Sequence, residues 1–359
     1  MRPANQEFTR VPESTQPKED QPLSRLVGVH PATATASVQG FYCRDLVSIL
    51  DLSPAELVAV LGLASQIKAR PADFRGALAG KQVVLLFEKP SLRTRVTFEA
   101  GIASLGGTSF FIDQTSSRID AREKLSDIAH NLERWVDAIV LRTFDHATVT
   151  GMAEHASIPV VNGLSDLEHP CQALADYFTL REKFGDLRKV RLAYVGDGSN
   201  NVAHSLLLTA ASLGSAITVA TSQGYSPCAH ILKKACALAS KTGASIKVVS
   251  DPVAAVAGAD GVYTDVWASM GQEQQATERA ALFAPYRVNA ELFARAVPHA
   301  VFMHCLPAHR GEEVTDAVID SPRSIVFDQA ENRLHIQKAI LLLLLRDGMR
   351  GFPARGAHA

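Results

Sequence analysis

The chain has 359 residues, of which 47% are hydrophobic and 20% are charged, and its formal net charge is -1 at pH 7. This balance argues against a protein that binds nucleic acid or a membrane surface, because both tasks need a surplus of lysine and arginine. The longest apolar run, residues 340–345, is far too short to cross a bilayer. A globular enzyme with two domains of ordinary size is the class that this composition favours.

The first 39 residues differ from the rest of the chain, because they are rich in Pro, Ser, Thr, Gln and charge and contain few large apolar residues. We therefore predict a disordered extension over residues 1–39. The extension lacks the apolar core of a secretory signal, and acidic residues such as Glu7 and Glu13 argue against a transit peptide. The five cysteines form no CxxC pair, which is typical of a reducing compartment, so we expect a cytoplasmic protein.

The first half of the chain alternates between predicted helices and strands, and ordered structure is predicted to begin near Phe41. Ser53 is predicted to cap the first helix, with Pro54 in its first position and Glu56 completing a capping box. Short apolar runs predict buried parallel strands at 81–87, 108–112, 137–141 and 158–161. Amphipathic or capped segments predict helices at 91–105, 126–135, 146–156 and 169–184.

The alternation starts again after Gly185-Asp186, which we take as a domain boundary. Further strands are predicted at 190–195, 216–220, 246–249, 261–264, 300–303 and 324–327. This pattern predicts an α/β fold of two domains, each a parallel sheet flanked by helices, with a C-terminal helix that packs back on the first domain. The predicted bounds are 40–184 and 185–328 for the domains, 329–347 for the C-terminal helix and 348–359 for a tail.

The turn between the strand at 81–87 and the next helix has the chemistry of an anion site. Ser91 is placed to cap that helix, and Arg93 and Thr94 lie in its first turn. Free backbone N–H groups and the positive end of the helix dipole favour a phosphate there. Arg142, at the end of a strand, and Arg333, near the start of the last helix, are further candidate anion ligands. The alternative is a capped surface helix with solvated arginines.

Polar residues follow two strands of the predicted second domain. Gly196 to Asn201 forms a turn without the GxGxxG pattern of dinucleotide-binding proteins, which argues against a nucleotide-dependent dehydrogenase. Asn201, Asp265 and Ser269 offer groups that could hold an amine and a carboxylate, although each is also compatible with an ordinary capped turn. Ligands of α/β sheets bind outside the carboxyl ends of the strands, where Asn201 and Asp265 fall.

Two further segments carry candidate chemical groups. His169 and Gln172 lie three residues apart at a helix start and share one face, so His169 could polarise a carbonyl oxygen or donate to a phosphate. Cys305 follows His304, which raises the possibility of a nucleophile or a metal ligand. No metal-ligand spacing accompanies the pair, and neighbouring residues of a strand point to opposite faces, so a buried structural cysteine is the common alternative.

These motifs together resemble the aspartate and ornithine carbamoyltransferase superfamily over residues 41–345. The segments Ser-Leu-Arg-Thr-Arg at 91–95 and His-Pro-Cys-Gln at 169–172, with Arg142 and Arg333, resemble the superfamily's carbamoyl phosphate motifs. Asp-Val-Trp-Ala-Ser-Met-Gly at 265–271 and His-Cys-Leu-Pro at 304–307 resemble the ornithine branch. The resemblance implies transfer of a carbamoyl group from carbamoyl phosphate to the δ-amine of L-ornithine, giving L-citrulline in arginine metabolism.

The resemblance also implies roles for individual residues. Those expected to take part in catalysis are Arg93, Arg142, His169 and Cys305. Those expected to bind carbamoyl phosphate are Ser91, Leu92, Arg93, Thr94, Arg118, Arg142, His169, Gln172, Cys305, Leu306 and Arg333. Those expected to bind ornithine are Asn201, Asp265, Ser269 and Met270. The superfamily needs no metal or organic cofactor, and the resemblance implies a homotrimer, or a multiple of trimers, with sites at the subunit interfaces.

Three departures from the superfamily pattern and three rival functions remain. Leu92 stands where many members have serine, threonine or methionine, Arg118 stands where relatives commonly have glutamine or histidine, and the shortest members lack the extension. The rivals are a carbamoyltransferase for another amine, such as putrescine or an N-acylated ornithine, a dehydrogenase, and a non-catalytic interaction protein. The Ser269-Met-Gly triplet favours free ornithine, and the arginines at 93 and 142 argue against a protein without catalysis.

Overall fold

The computed structural model describes residues 44–115, 118–268 and 276–345. The predicted extension (1–39), the expected start of order at Phe41 and the predicted tail (348–359) lie outside the described residues, and so do Ser269 and Met270. Within the described ranges the chain forms nine β-strands and 12 α-helices. None of the helices in these ranges has both the length and the apolar character needed to cross a membrane.

The strands form two separate sheets in which all neighbours run parallel. The four-stranded sheet has the order β2-β1-β3-β4 and consists of β1 (Gln82–Phe87), β2 (Thr108–Asp113), β3 (Ala138–Arg142) and β4 (Val160–Leu164). The five-stranded sheet has the order β7-β6-β5-β8-β9 and consists of β5 (Arg191–Val195), β6 (Ala216–Ala220), β7 (Ser245–Val249), β8 (Gly261–Thr264) and β9 (Val301–His304).

Helices follow nearly every strand, as parallel sheets require. Those of the first half are α1 (Pro54–Ala69), α2 (Leu92–Ser104), α3 (Leu125–Trp135), α4 (His146–His155) and α5 (Pro170–Phe184). Those of the second half are α6 (Asn201–Leu213), α7 (Ala229–Thr242), α8 (Pro252–Val256), α9 (Ala276–Phe283), α10 (Ala290–Phe293), α11 (Asp316–Ile319) and α12 (Val326–Leu345). The predicted α/β class with two parallel sheets is confirmed.

The central strands of each sheet are buried on both faces, which explains their continuous apolar runs. Along β1, Val83 and Leu85 belong to a large core that also contains Leu192 of β5. The alternate residue of β1, Val84, packs into a separate core on the other face of the first sheet. Ala193 of β5 likewise packs into a third core on the far face of the second sheet. The large core therefore lies between the two sheets and joins them.

One predicted strand is wrong. The run 324–327 forms no strand: Ser324 makes a single bridge to Phe302, and the chain enters α12 at Val326. A short apolar run does not distinguish a strand from a buried helix start by its pattern, and here the helix is stabilised along its length by packing. As predicted, this C-terminal helix packs back on the first half of the chain, against α1, α2 and α5.

The order of the strands creates a crevice at two places. In the first sheet β2 lies on one side of β1 and β3 lies on the other, so the strand order reverses between β1 and β3. In the second sheet the strand order reverses in the same way between β5 and β8. Ligands of α/β sheets bind at such switch points, outside the carboxyl ends of the strands. Arg142 ends β3, Asn201 follows the turn after β5, and Asp265 follows β8. The sequence-predicted site residues thus fall at both crevices.

Candidate active site

The first crevice contains the N-terminus of α2. Ser91 is the N-cap, and its hydroxyl accepts a hydrogen bond from the backbone N–H of Thr94 at 3.2 Å. Ser91 thereby fixes the first turn of the helix, which carries Arg93. The positive end of the helix dipole and the remaining free N–H groups of this turn face the end of β1. Leu92, in the same turn, is 76% exposed, so its side chain contributes little to this site.

Three guanidinium groups surround this helix start. Arg142 and Arg333 are buried, and Arg333 donates from Nη2 to the Thr94 hydroxyl at 2.5 Å. Burial, and then the nearby charges of Arg333 and Arg93, lower the pKa of Arg142 to about 9. The Nε atoms of Arg142 and Arg333 are buried and have no hydrogen-bond partner among the described residues. A cluster of like charges with unused donors gains most from an anion that several of them share.

His169 and Gln172 complete this half of the site at the start of α5. Burial lowers the pKa of His169 well below its ordinary value, and the charges of Arg333 and Arg142 lower it further, so the imidazole is neutral. Its Nδ1 is buried without a partner in the described structure. Gln172 donates from Nε2 to Asp176 at 2.8 Å, which leaves its Oε1 buried and without a hydrogen bond. Gln172 therefore presents an acceptor and requires an N–H donor from a ligand.

The second crevice is organised around Asp265. Asp265 is buried and accepts hydrogen bonds from Nδ2 of Asn200 at 3.0 Å and from the thiol of Cys305 at 2.9 Å. Burial raises the pKa of the Cys305 thiol well above its ordinary value, and the Asp265 carboxylate raises it further. Cys305 is therefore a neutral donor and not a thiolate nucleophile. Asn201, the first residue of α6, donates from Nδ2 to the carbonyl oxygen of Ser165 at 2.5 Å.

The two halves meet at Cys305. This residue follows β9 of the second sheet, yet it lies near enough to Arg142 and Arg333 of the first half to influence their pKa values. Leu306, the next residue, adopts φ of 59°, in the left-handed region that side chains other than glycine rarely occupy. The chain thus turns sharply where the three guanidiniums of the first crevice adjoin the Asp265 carboxylate.

Arg118 lies apart from this cluster. It is half exposed and forms an ion pair with Asp145, which is also exposed, so within one chain it contributes nothing to the three guanidiniums. Ser269 and Met270 lie outside the described residues. The structure therefore brings together Ser91, Arg93, Thr94, Arg142, His169, Gln172 and Arg333 in one crevice and Asn201, Asp265 and Cys305 beside it, with Leu306 following directly.

Sequence reasoning missed three residues that hold these groups in place. Asp176 accepts hydrogen bonds from the side-chain amides of Gln329 and Gln172. Asn200 donates to Asp265. A signal exists for Asp176, because a carboxylate one turn after Gln172 lies within an otherwise apolar stretch of α5. In the sequence Asn200 is one of two adjacent asparagines and can be recognised as a helix cap. A capping role gives no indication that its side chain also donates to Asp265.

Two groups of side chains in the described part of the chain have metal-ligating atoms within 4.8 Å of one another, namely Asp265, His304 and Cys305, and His309, Glu312 and Glu313. In the first group both ring nitrogens of His304 already bond to protein, since Nδ1 accepts from the N–H of Leu306 and Nε2 contacts Glu313. The Cys305 thiol is likewise committed to Asp265. The hydrogen bonds of the protein itself account for this arrangement.

A buried ion pair stabilises the turn next to the second crevice. Arg279 donates from Nη1 to Asp197 at 2.6 Å and to the carbonyl oxygen of Trp267 at 3.0 Å, and both charged side chains are at most 7% exposed.

Because Arg279→Ala leaves the Asp197 carboxylate buried without its cation, we expect a loss of about 3–5 kcal/mol in the free energy of unfolding. Urea denaturation measures it. Arg310→Ala is the control, since Arg310 pairs with Asp316 and Asp320 at the surface and should matter far less. Equal losses in the two variants would contradict the assigned role of the buried pair.

The comparisons with known proteins agree with this geometry. Residues 44–182 match the family model described as aspartate/ornithine carbamoyltransferase, carbamoyl-P binding domain, and residues 188–344 match the one described as Asp/Orn binding domain. A protein of Pyrococcus abyssi named ornithine carbamoyltransferase is 50% identical over 311 residues, which cover 86% of this chain and 98% of that protein. One of Symbiobacterium thermophilum with the same name is 52% identical over 304 residues, which cover 84% and 98% of the two chains.

Solved structures give the same result. The ornithine carbamoyltransferase from Pyrococcus furiosus superposes with a TM-score of 0.82 at 48% identity, covering 84% of this chain and 97% of that one. The one from Thermus thermophilus superposes with a TM-score of 0.76 at 47% identity, covering 84% and 99%. The matched regions include both sheets and both crevices. The chain therefore belongs to the aspartate/ornithine carbamoyltransferase family.

Proposed function

We propose that this protein transfers the carbamoyl group of carbamoyl phosphate to the δ-amine of L-ornithine, giving L-citrulline and phosphate. The observation that carries the proposal is the contact between two unlike half-sites, a cluster of guanidiniums on the first sheet and the Asp265 carboxylate with Cys305 on the second. One half suits a phosphate dianion and the other suits an ammonium group. The names of the relatives support the same substrates.

In the first half-site, Arg93, Arg142 and Arg333 bind the phosphate with the N–H groups of the α2 start, and Ser91 and Thr94 add hydroxyls. His169 acts on the carbonyl oxygen of the carbamoyl group. Gln172 accepts from the carbamoyl NH₂ through Oε1, since its Nε2 is held by Asp176. Leu92 and Leu306 contribute backbone groups, and Arg118 acts on a neighbouring subunit's site. Every one of these groups is polar or positively charged toward the ligand, as an anionic substrate requires.

In the second half-site, Asp265 binds the α-ammonium group of ornithine, and Asn201, Ser269 and Met270 bind the rest of the amino-acid end. Cys305 lies between the two substrates. The neutral δ-nitrogen attacks the carbamoyl carbon, the bond from that carbon to the phosphate oxygen breaks, and the proton lost from the nitrogen goes to the departing phosphate. Negative charge grows on the carbonyl oxygen and then on the departing phosphate, where Arg93, Arg142 and the polar His169 face it. Holding two substrates on two sheets supplies proximity.

A parallel assay of phosphate release tests the acceptor and its pH dependence together. Carbamoyl phosphate is supplied with ornithine, putrescine, N-acetylornithine or aspartate, and citrulline is measured. We expect turnover with ornithine alone, and kcat/KM for ornithine rising about tenfold from pH 7 to 8, because an alkyl amine has a pKa of about 10.4 and this range lies below the pKa of about 9 of Arg142.

The pKa shifts of His169 and Cys305 assign this rise to the δ-amine of ornithine. The pKa of His169 is lowered and that of Cys305 is raised, so neither group changes its protonation over this range. A flat profile would mean that deprotonation of the amine does not control the rate. Turnover with putrescine but not ornithine would keep the phosphate half-site and overturn the assignment of the second half-site.

We also propose that the protein is a cytoplasmic homotrimer or a multiple of trimers. Exposed apolar side chains at the edge of the first sheet support assembly: Phe110 and Ile112 of the edge strand β2 and Leu92 and Val96 of α2 are all between 38% and 76% exposed. Apolar side chains exposed on an edge strand and on the helix that carries Arg93 suit a subunit contact. Light scattering that gave the mass of a single chain would contradict the trimer. The cysteines of the described ranges, Cys171, Cys228, Cys236 and Cys305, are free thiols, which supports a reducing compartment.

A further inference from the structure

Asp176 connects the two half-sites through hydrogen bonds to other side chains of the protein. Its carboxylate is fully buried one turn after Gln172 on α5 and accepts three hydrogen bonds from three elements. Oδ1 accepts from Nε2 of Gln172 at 2.8 Å and from Nε2 of Gln329 at 2.9 Å. Oδ2 accepts from the hydroxyl of Tyr263, on β8, at 3.0 Å. One buried acidic group thus contacts the helix of the first half-site, a strand of the second sheet and the C-terminal helix.

An ionised carboxylate can only accept hydrogen bonds, so it determines which end of each neighbouring amide faces it. Because the NH₂ group of Gln172 must face Asp176, its oxygen must face the first half-site. The NH₂ group of Gln329 must face Asp176 too, and its Oε1 then accepts from the backbone N–H of His304 at 3.0 Å. Burial raises the pKa of Asp176 to about 6, and its three donors oppose that rise, so the group is ionised at neutral pH.

The second branch of this network reaches Cys305. His304 is the last residue of β9, and its backbone N–H is held by Gln329. The next residue, Cys305, donates a hydrogen bond from its thiol to Asp265. Leu306, with its left-handed backbone, follows. Asp176 is therefore connected by hydrogen bonds to the amide of Gln172 on one side and to the backbone just before Cys305 on the other.

We infer that Asp176 is a positioning residue, which orients Gln172 toward the carbamoyl NH₂ group and, through Gln329, fixes the backbone that presents Cys305. This inference rests on the proposed function, because the N–H donor that Gln172 meets is that of carbamoyl phosphate. Asp176 itself lies one hydrogen bond behind the ligand. Its effect is on selectivity for an acyl phosphate with an amide N–H.

Acetyl phosphate provides the discriminating probe, since it has the same phosphate and carbonyl but a methyl group in place of the NH₂. Calorimetry measures the affinities of both acyl phosphates for the wild type, Asp176→Ala, Asp176→Asn and Tyr263→Phe. We expect the wild type to prefer carbamoyl phosphate and Asp176→Ala to lose about 3- to 10-fold of that preference, the range of one hydrogen bond. Asp176→Asn should restore most of the preference, because its single oxygen can accept from both amides while its NH₂ faces the tyrosine oxygen.

Tyr263→Phe is the matched control, because it removes one hydrogen bond to Asp176 and leaves both glutamine contacts intact. It should keep the wild-type preference. In Asp176→Ala combined with Gln172→Ala, the preference should be no lower than in Gln172→Ala alone, because both changes remove the same contact.

Two results would overturn this role. The first is an Asp176→Ala variant that binds both acyl phosphates more weakly by the same factor, which is the result of a purely structural role. The second is a double variant whose preference falls below that of Gln172→Ala alone. A wild type without any preference would instead contradict the proposed substrate, so the failure of the two claims is distinguishable.

Discussion

Arg142→Met is expected to lower kcat/KM for carbamoyl phosphate by on the order of 10²–10³-fold, the effect of losing one donor to the charge of a transition state. The same change should leave the melting temperature unchanged or raise it. Arg142 is a buried cation beside Arg93 and Arg333, and its Nε has no hydrogen-bond partner among the described residues. Methionine fills most of the volume and removes both the cost of burying the charge and the repulsion. Kinetics and thermal unfolding of the same preparation measure both effects.

Arg181→Met is the matched control for this prediction. Arg181 is a half-buried arginine that donates to the carbonyl oxygen of Leu61 at 2.5 Å and lies over the ring of Phe178, three turns along α5 from His169. We expect this variant to lose stability and to keep its kinetic constants for carbamoyl phosphate. If Arg142→Met instead lost stability and kept its activity, the guanidinium cluster would be part of the fold and not a phosphate site.

Asp265→Asn is expected to lower kcat/KM for ornithine about 10- to 100-fold, the effect of losing a hydrogen bond to a charged group, with little change in KM for carbamoyl phosphate. Asparagine keeps the shape of the side chain and one acceptor oxygen, so the contacts from Asn200 and Cys305 persist in part. The lost negative charge is the property that an ammonium group requires. Steady-state kinetics with each substrate varied in turn separates the two effects.

Asp260→Asn provides the comparison, because Asp260 directly precedes β8 whereas Asp265 follows its carboxyl end. Asp260 is also buried, and it accepts from the backbone N–H and from Nε of Arg191. The variant should lose stability and bind ornithine normally. Equal losses for ornithine and carbamoyl phosphate in Asp265→Asn would show that Asp265 supports the whole site and does not select the amine.

The sequence was sufficient for most elements, because local chemistry decides them. Ser53 and Ser91 cap their helices as predicted, with the expected capping box at Glu56. The failure at 324–327 has a tertiary cause. Ile325, Val326 and Phe327 form an apolar run that is compatible with a short strand. In the structure Phe327 is 76% exposed, and the segment begins a helix that packs against three other helices.

The site was predictable where a motif names a residue, and hidden where its geometry depends on a distant partner. Arg93, Arg142 and His169 stand in recognisable segments, and the structure places them together. Asp176 and Gln329 are 153 positions apart, and nothing local indicates that their side chains bond. The orientation of the Gln329 amide follows from this distant partner, so no sequence pattern reveals that Gln329 offers its oxygen to the backbone N–H of His304.

The most direct test of the two adjoining half-sites is the binding of a single stable compound that spans both. Such a compound joins a methylene phosphonate through an amide to the δ-nitrogen of ornithine, and calorimetry gives its affinity. We expect it to bind on the order of 10²-fold or more tightly than carbamoyl phosphate, because one molecule makes the contacts of both substrates. Arg142→Met and Asp265→Asn should each weaken that binding. If Asp265→Asn bound it with unchanged affinity, ornithine would not lie at Asp265, and the assignment of the second half-site would be contradicted.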